Sequence, residues 1–416
     1  MSTAQTTDVD LDAIDVLDAR WFADGTPHEL FARMRAEAPV RWNPLPDGTG
    51  CWSVTRHADV SAISRDTETF SSYKAGIFLH PDQVVGLDLT RNLLLYMDPP
   101  QHTKYRLILQ KAFTPHTVQA LEDGIRARVT KTLDRIVEAG SCDVVDDIAV
   151  PIPLGVLTEL MGVPEEDIAE FYTWTEEIEA AQRAPEPNAA AEVFVKMAGY
   201  LHGQIERQAA EGNEDSLVMK LRAAEVDGEK LTDPEILVFF GLLAFAGNDT
   251  TRNTLANGLH ALLEHPDQLQ ELVEDPSLIP GAVEEILRYT SVVRWFVRTA
   301  TTDTELGGQS IREGDRVVMW YASASFDDEV FDEPTRFDIH RVKPEHKAFG
   351  GGGRHFCLGA GLARAELRIA LEEITRRLRD LQPAGPVERL PSSWANGLVH
   401  FPVTFTPGAR AGDTAA

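Results

Sequence analysis

One stretch constrains this chain more than any other: Ala348-Phe-Gly-Gly-Gly-Gly-Arg-His-Phe-Cys357-Leu-Gly-Ala-Gly-Leu-Ala-Arg364. Four consecutive glycines precede a single cysteine. Glycine tolerates positive φ and lets a backbone approach a large flat object closely. After the cysteine, Leu362, Ala363, Ala365, Leu367, Ile369 and Ala370 fall in a segment free of Gly and Pro, which reads as a helix. Cys357 therefore stands near a helix N-terminus, where free N–H groups and the helix dipole favour a thiolate. Arg354 and His355 add donors beside it. A free cysteine is often just a small buried hydrophobe. These neighbours point instead to a thiolate that binds something.

The 416 residues carry a net charge of −27, which makes a nucleic-acid partner a poor fit. Three cysteines, Cys51, Cys142 and Cys357, give no disulfide framework and suit a reducing compartment. The polar, acidic N-terminus lacks the basic and apolar regions of a signal peptide. The longest apolar run, Ile236 to Gly247, has about half the length needed to cross a bilayer. A monomeric cytoplasmic protein that does not enter membranes is the expectation.

Residues 1–10 and 408–416 read as disordered termini around a single domain over 11–407. Helices are expected over 28–37 and 57–64, and they dominate 117–210. Short strands are expected at Val40–Trp42, Cys51–Thr55, Arg298–Ala300, Thr304–Leu306, Arg316–Trp320 and Val399–Phe405. Residues 74–97 lack a clear period but carry Phe78, Leu79 and Val84, which suits a lid over an apolar pocket. The fold class is thus mainly α with small β-sheets. No βαβ rhythm appears.

From Asp233-Pro-Glu a helix should run to His265, just before Pro266, with Thr232 or Asp233 as its cap. Its centre, Ile236 to Ala246, is apolar all round, so it crosses the core. Within it lies Ala246-Gly-Asn-Asp249-Thr250-Thr251. An Asp and two Thr there are costly unless they have partners. Either the Thr side chains bond back to the preceding turn and bend the helix, or the group forms a groove in which Thr250 donates a hydrogen bond and Asp249 feeds protons. Further on, Glu285 and Arg288 at i, i+3 share a helix face. His102 and Arg106 do the same at i, i+4.

Taken together, these segments resemble the cytochrome P-450 superfamily, and the resemblance runs from about residue 20 to 406. Gly353, His355, Cys357 and Gly359 match its cysteine-ligand loop. One departure is that Phe349 stands eight residues before the cysteine where the family has seven, so the loop is one residue longer. Ala246 to Thr250 matches the oxygen-activation motif, and Glu285-x-x-Arg288 the structural pair that a later arginine, Arg336 or Arg341, completes. The resemblance implies the cytochrome P-450 fold, haem b with Cys357 as iron ligand, and Asp249 and Thr250 as the catalytic acid and alcohol. It implies cofactor contacts from His102, Arg106, Arg298, Phe349, Gly353, His355 and Gly359. Monooxygenation of a C–H bond with O2 follows, with electrons from a ferredoxin and its NAD(P)H-dependent reductase, since no reductase domain is recognisable.

Expected pocket residues are Phe78, Leu79, Val84, Leu242, Ala246, Val293, Phe296 and Leu398. All are apolar, so a lipophilic small molecule is the expected substrate. The longer loop and the run Ala-Gly-Asn-Asp-Thr-Thr-Arg252 resemble steroid and methyl-branched-lipid hydroxylases of the superfamily; macrolide or other secondary-metabolite tailoring is the alternative. A haem-thiolate nitric-oxide reductase, a peroxygenase or a haem sensor would use the same cysteine, but the acid–alcohol pair favours O2 activation. Basic residues Arg341, Lys343, Lys347, Arg354, Arg364 and Arg368, with Lys104 and Lys111, suggest a docking patch for an acidic ferredoxin.

Overall fold

A computed structural model describes residues 9–79, 90–183, 191–214, 216–226, 228–342 and 345–411. Along the chain these include α1 (His28–Glu37), β1 (Val40–Pro44), β2 (Gly50–Val54), α2 (His57–Arg65), β3 (Phe70–Ser71), α3 (Gln101–Leu109), α4 (Pro115–Asp134), β4 (Ser141–Asp143) and α5 (Pro151–Met161). After further helices come α6 (Asp233–Glu264), α7 (Ile279–Thr290), β5 (Trp295–Ala300), β6 (Arg316–Trp320), α8 (Ala360–Arg377), β7 (Arg379–Pro383) and β8 (Pro402–Thr406). Helices predominate and the sheets are small, as expected.

The long helix α6 forms where its signals place it. Thr232 and Glu235 make a reciprocal capping box, Pro234 stands in the first turn, and Pro266 opens the next helix. Glu235 also accepts a hydrogen bond from the Tyr105 hydroxyl, which ties α3 to the start of α6. Leu255, Leu259 and Leu262 of α6 then pack with Val129 and Leu133 of α4, Val156 of α5, Ile286 of α7 and Ile369 and Ile374 of α8, all under 3% exposed. Each such side chain contributes about 1.5–3 kcal/mol by leaving water. That burial fixes α6 above α8 and so sets the spacing of the site between them.

The larger sheet has the order β1-β2-β6-β5-β3. It is antiparallel except for β2 and β6, where Trp52, Ser53 and Val54 pair in parallel with Val317, Val318 and Met319. β5 begins three residues earlier than the sequence suggested, because Trp295 and Phe296 pair with Trp320 and Met319. A second sheet, β7-β8-β4, joins the C-terminal strands to the middle of the chain.

Residues 408–411 are held in place, where the sequence suggested a disordered tail. The Gly408 amide donates to the Val137 carbonyl, the Ala411 amide to Asp134, and Arg410 pairs with Glu138. Residues 1–8, 80–89 and 412–416 lie outside the described residues, and with them Val84. Among the described residues, no helix is long and apolar enough to cross a membrane.

Candidate active site

The cysteine loop is folded onto α2. Gly350, Gly352 and Gly353 have φ of 95°, 96° and 72°. A Cβ on Gly351 would collide with Ser64, and one on Gly353 would come within 2.6 Å of the Ser64 carbonyl oxygen. Gly353 therefore seats the loop against α2 and does not line the cavity, contrary to the cofactor contact expected for it. Gly359 is different: a Cβ there would meet nothing within 4 Å, and the residue faces the cavity. The longer loop still closes, since the Cys357 amide donates to the Phe349 carbonyl at 3.0 Å. The Phe349 ring lines the same cavity as Cys357, with the Arg364 guanidinium 4.5 Å above it.

Cys357 opens onto an internal cavity between α8 and α6. Burial pushes its thiol pKa up, while the Gly359 N–H, Arg106 and Arg364 pull it down. Binding a metal would therefore release a proton. Leu358, Leu362 and Ala363 surround the cysteine; Ala246, Gly247, Thr250, Thr251 and Thr254 form the wall on α6. The roof is aliphatic and aromatic: Ile77, Leu94, Leu95, Leu242, Leu243, Val292, Val293 and Phe296.

Of the expected pocket residues, Leu242, Ala246, Val293 and Phe296 line this cavity. Phe78 stands behind it, edge-on to Phe296 at 5.8 Å and to Trp394 at 5.4 Å. Leu79 packs against the N-terminal cluster of Phe22, Trp295 and Trp320. Leu398 is 3% exposed in the main core under β8. These three were misplaced because strand and loop direction decides which neighbour faces in. Ile77, Leu94, Leu95 and Val292 were missed for the same reason. Glu366 and Tyr321 also line the cavity and were not singled out. Helical spacing alone could have found Glu366, one turn from Leu362 on α8.

Four basic side chains gather on the cavity: His102, Arg106, Arg298 and His355. None pairs with a carboxylate among the described residues. Both ring nitrogens of His102 are buried without a partner among the described residues, and its ring lies 4.2 Å from that of His355. Burial, then Arg106, Arg354 and Arg298, push the His102 pKa down to about 4. Burial and the same kind of neighbours lower that of His355, whose Nε2 lies 3.3 Å from Ser72 Oγ. Among the described residues, Arg106 and Arg298 donate only to the carbonyls of Phe356 (2.6 Å) and Val297 (2.8 Å). Two arginines and two imidazoles that burial keeps neutral, none of them bonded to a carboxylate among the described residues, offer donors that fit an anionic ligand. Together with a cysteine and an unfilled glycine cradle, they fit a metal-centred group that carries carboxylates.

On α6 the expected acid and alcohol separate. The Thr250 hydroxyl donates to the Ala246 carbonyl at 2.7 Å, so its one proton is already used. It offers lone pairs to the cavity rather than a donor, contrary to the expectation. Asp249 does not line the cavity. Its Oδ1 accepts from Arg252 Nη2 at 2.7 Å and from Asn253 Nδ2 at 2.9 Å. The cause is helical geometry: residues three and four apart share a face, so 249, 252 and 253 lie behind the stripe of 246, 250 and 254.

Behind the cysteine loop, Glu285 and Arg288 are fully buried. Arg341 completes the group, its Nε donating to Glu285 at 3.1 Å. Arg336 contributes its carbonyl oxygen, while its side chain turns to the exposed Glu333. The expected basic patch is largely spent. Arg341, Arg364 and Arg368 pair with Glu285, Glu284 and Glu122, and Lys347 is buried. Lys343 lies outside the described residues.

Comparison with known proteins agrees with this geometry. The profile of the family "Cytochrome P450" matches residues 188–402. A steroid C26-monooxygenase of Mycolicibacterium smegmatis is 38% identical over 95% of this chain and 95% of its own length. A methyl-branched lipid omega-hydroxylase of Mycobacterium bovis is 36% identical over 96% of this chain and 95% of its own. Among solved structures, a Mycobacterium marinum cytochrome P450 in complex with pseudoionone superimposes with a TM-score of 0.84 at 37% identity, covering 95% of this chain and 99% of that one. The chain belongs to the cytochrome P450 family. It is a monooxygenase of that family, and its cofactor is haem b.

Proposed function

We propose that this enzyme hydroxylates a lipophilic small molecule of the steroid, terpenoid or methyl-branched lipid class, using O2 and electrons from a separate ferredoxin system. The relatives that carry steroid and branched-lipid activities are each more than a third identical over nearly the whole chain. The aliphatic roof of the cavity suits such a substrate, since it offers apolar area and few hydrogen-bonding partners.

One observation carries the site assignment: Cys357 faces α6 across a cavity in which four basic side chains pair with no carboxylate among the described residues. Cys357 would hold the haem iron, with the Gly359 N–H and nearby Arg106 and Arg364 favouring its thiolate. His102, Arg106, Arg298 and His355 would hold the haem carboxylates, and Gly359 leaves room for the ring. The bound haem supplies dioxygen activation and oxygen insertion into a C–H bond. The protein's share is to orient the substrate under the roof, exclude water and manage protons. Thr250 would accept a hydrogen bond at its Oγ1. Asp249 would serve as an acid only after leaving Arg252.

Cys357→His tests the ligand. The reduced carbon-monoxide complex should lose its thiolate-type Soret band and shift to the blue, and hydroxylation should stop. An unchanged spectrum would remove Cys357 from the assignment. For the substrate class, steroids, terpenoids, branched lipids and macrolides are titrated while the haem spectrum is followed. A response confined to macrolides would replace the class proposed.

A further inference from the structure

A fully buried arginine stands directly behind the cavity roof without a role in the assignment above. Arg294 lies between Val293, which lines the cavity, and β5, whose Phe296 lines it as well. It is 1% exposed, and among the described residues no carboxylate pairs with it. Burial, then Arg389, push its pKa down to about 9. A methionine of similar length would be buried here at less cost, because an unpaired interior charge is expensive. What the guanidinium has and a thioether lacks is a fork of directed N–H donors.

Those donors converge on one segment outside the helices and sheets, residues 391–397. Nη1 donates to the carbonyls of Ser392 at 2.6 Å and Ala395 at 2.7 Å, and Nη2 donates to Asn396 Oδ1 at 3.0 Å. Nε reaches Thr26 Oγ1 at 3.2 Å, and the guanidinium lies 4.7 Å over the Phe22 ring. Backbone bonds run the same way: the Arg294 amide donates to the Trp394 carbonyl and the Asn396 amide to the Val292 carbonyl, each at 2.8 Å. Buried carbonyls without a helix or sheet partner need donors of this kind. The segment carries Trp394, whose ring lies 6.3 Å from that of Phe296 and 5.4 Å from that of Phe78. Among the described residues, none of 391–397 lines the cavity. Arg294 therefore acts on the cavity only through the rings of Trp394 and Phe296 and through its neighbours Val292 and Val293.

We propose that Arg294 is a positioning residue for substrate specificity: it clasps 391–397 against 292–296, seats Trp394 behind Phe296, and so sets the shape of the roof that the far end of a substrate meets. The inference rests on this cavity being the haem site. An apolar roof selects by fit, so a small displacement of one of its rings changes which molecules pack well beneath it. Loss of the clasp leaves the backbone bonds between the two segments in place, so it loosens the roof without removing it.

Two azoles of different reach read the roof on the haem-loaded protein. Imidazole and N-octylimidazole both bind haem iron through a ring nitrogen, and only the second carries a tail that can lie along the roof. Spectral titration gives a dissociation constant for each. In Arg294→Met the N-octylimidazole constant should rise roughly fourfold, as for one CH2 group lost from apolar contact, while that of imidazole stays as in the parent. Arg294→Lys keeps a charged donor for the Ser392 and Ala395 carbonyls and should recover part of the difference. Trp394→Leu leaves the arginine in place, removes the ring it seats, and should give the same split. A role in stability alone would move both constants together or neither, and either result in Arg294→Met overturns the proposal. Should Arg294→Met lose haem, Trp394→Leu decides, and N-octylimidazole binding equal to the parent's overturns the proposal as well. The parent's own response to imidazole stands apart, since it and the Cys357→His spectrum test whether the cavity holds haem on a thiolate.

Discussion

Arg288 grips Glu285 with two parallel hydrogen bonds, Nε and Nη2 each 2.7 Å from a carboxylate oxygen, where neither side chain is exposed at all. The remaining guanidinium capacity goes to the carbonyls of Ser325, Pro334 and Arg336. The pair thus ties α7 to the segment that leads into the cysteine loop. Glu285→Ala would leave Arg288 buried and unpaired, which costs about 3–5 kcal/mol. Arg341→Met removes one bond to that carboxylate and should cost about 1.5–3 kcal/mol. Arg336→Met should stay within about 0.5 kcal/mol, since its side chain is on the surface. Denaturant unfolding of the haem-loaded variants gives the order. If Arg336→Met proves the more damaging of the two arginine variants, the third member of the group has been misassigned.

The positions of Thr250 and Asp249 predict different defects. Thr250→Ala removes the hydroxyl oxygen facing the cavity, so reductant should be consumed and peroxide released while product falls. Thr250→Ser keeps the oxygen and should stay coupled. Asp249→Asn acts behind the helix. It leaves Arg252 beside a neutral amide, and it should slow turnover with a smaller loss of coupling. It should also lower stability by about 1–3 kcal/mol, the cost of weakening a buried charged hydrogen bond. Coupling in Thr250→Ala equal to that of the parent would exclude Thr250 from proton management.

His28 sets a pH dependence away from the cavity. It opens α1 with its ring 3.9 Å from that of Phe326, and its buried Nδ1 has no partner among the described residues. Burial, then Arg288, Arg35 and Arg294, push its pKa down to about 3. An unfolded histidine protonates near 6.5. Below that pH the unfolded chain binds a proton that the folded one refuses until about 3. Stability should therefore fall as pH drops through this window, by about 1.4 kcal/mol per unit from this one group. Glu284 acts in a lower window. Burial raises its pKa, but His346 and Arg364 outweigh this and bring it to about 2, so its stabilisation is lost only as pH falls from about 4.5 towards 2. His28→Phe should make the decline between roughly pH 6 and 4 shallower, with the share of His102, His355 and His57 remaining, and leave the lower limb unchanged. The same slope in variant and parent would mean that His28 is not held neutral.

Local chemistry was legible in the sequence, and long-range direction was not. The cap at Thr232 and the stop at Pro266 delimit α6 without reference to the rest of the chain. The glycines around Cys357 likewise announce close backbone approach, but not to what. Gly353 meets Ser64, nearly three hundred residues earlier, and nothing near Gly353 encodes that. Leu398 reads as apolar whichever way its strand faces. Counting charges over 341–368 missed their acid partners on α4 and α7. Asp249 is the instructive case, because Arg252 and Asn253 at i+3 and i+4 already showed that the acid had neighbours on its own face.

Electron transfer should depend on apolar contact more than on charge. The cysteine loop adjoins α3 through the bond from Arg106 to the Phe356 carbonyl and that from Arg354 to Thr103. At this surface Leu107 is 52% and Phe356 39% exposed, with Arg354 and Lys111 exposed nearby. Most other basic residues of the run 341–368 are paired or buried, so few free charges remain to steer a partner. Steering by a few charges fades once the Debye length falls to about 10 Å at 0.1 M salt. The rate of first electron transfer from a small acidic ferredoxin should therefore decline only shallowly with ionic strength. Leu107→Glu should slow it roughly tenfold, equivalent to about 1.4 kcal/mol at the contact. Arg354→Glu with Lys111→Glu should remove most of the remaining salt dependence. Lys347→Glu, by contrast, places an acid at a buried position and should show as lost stability. Stopped-flow reduction across a salt series distinguishes these. A steep salt dependence together with an unimpaired Leu107→Glu would move the docking site elsewhere.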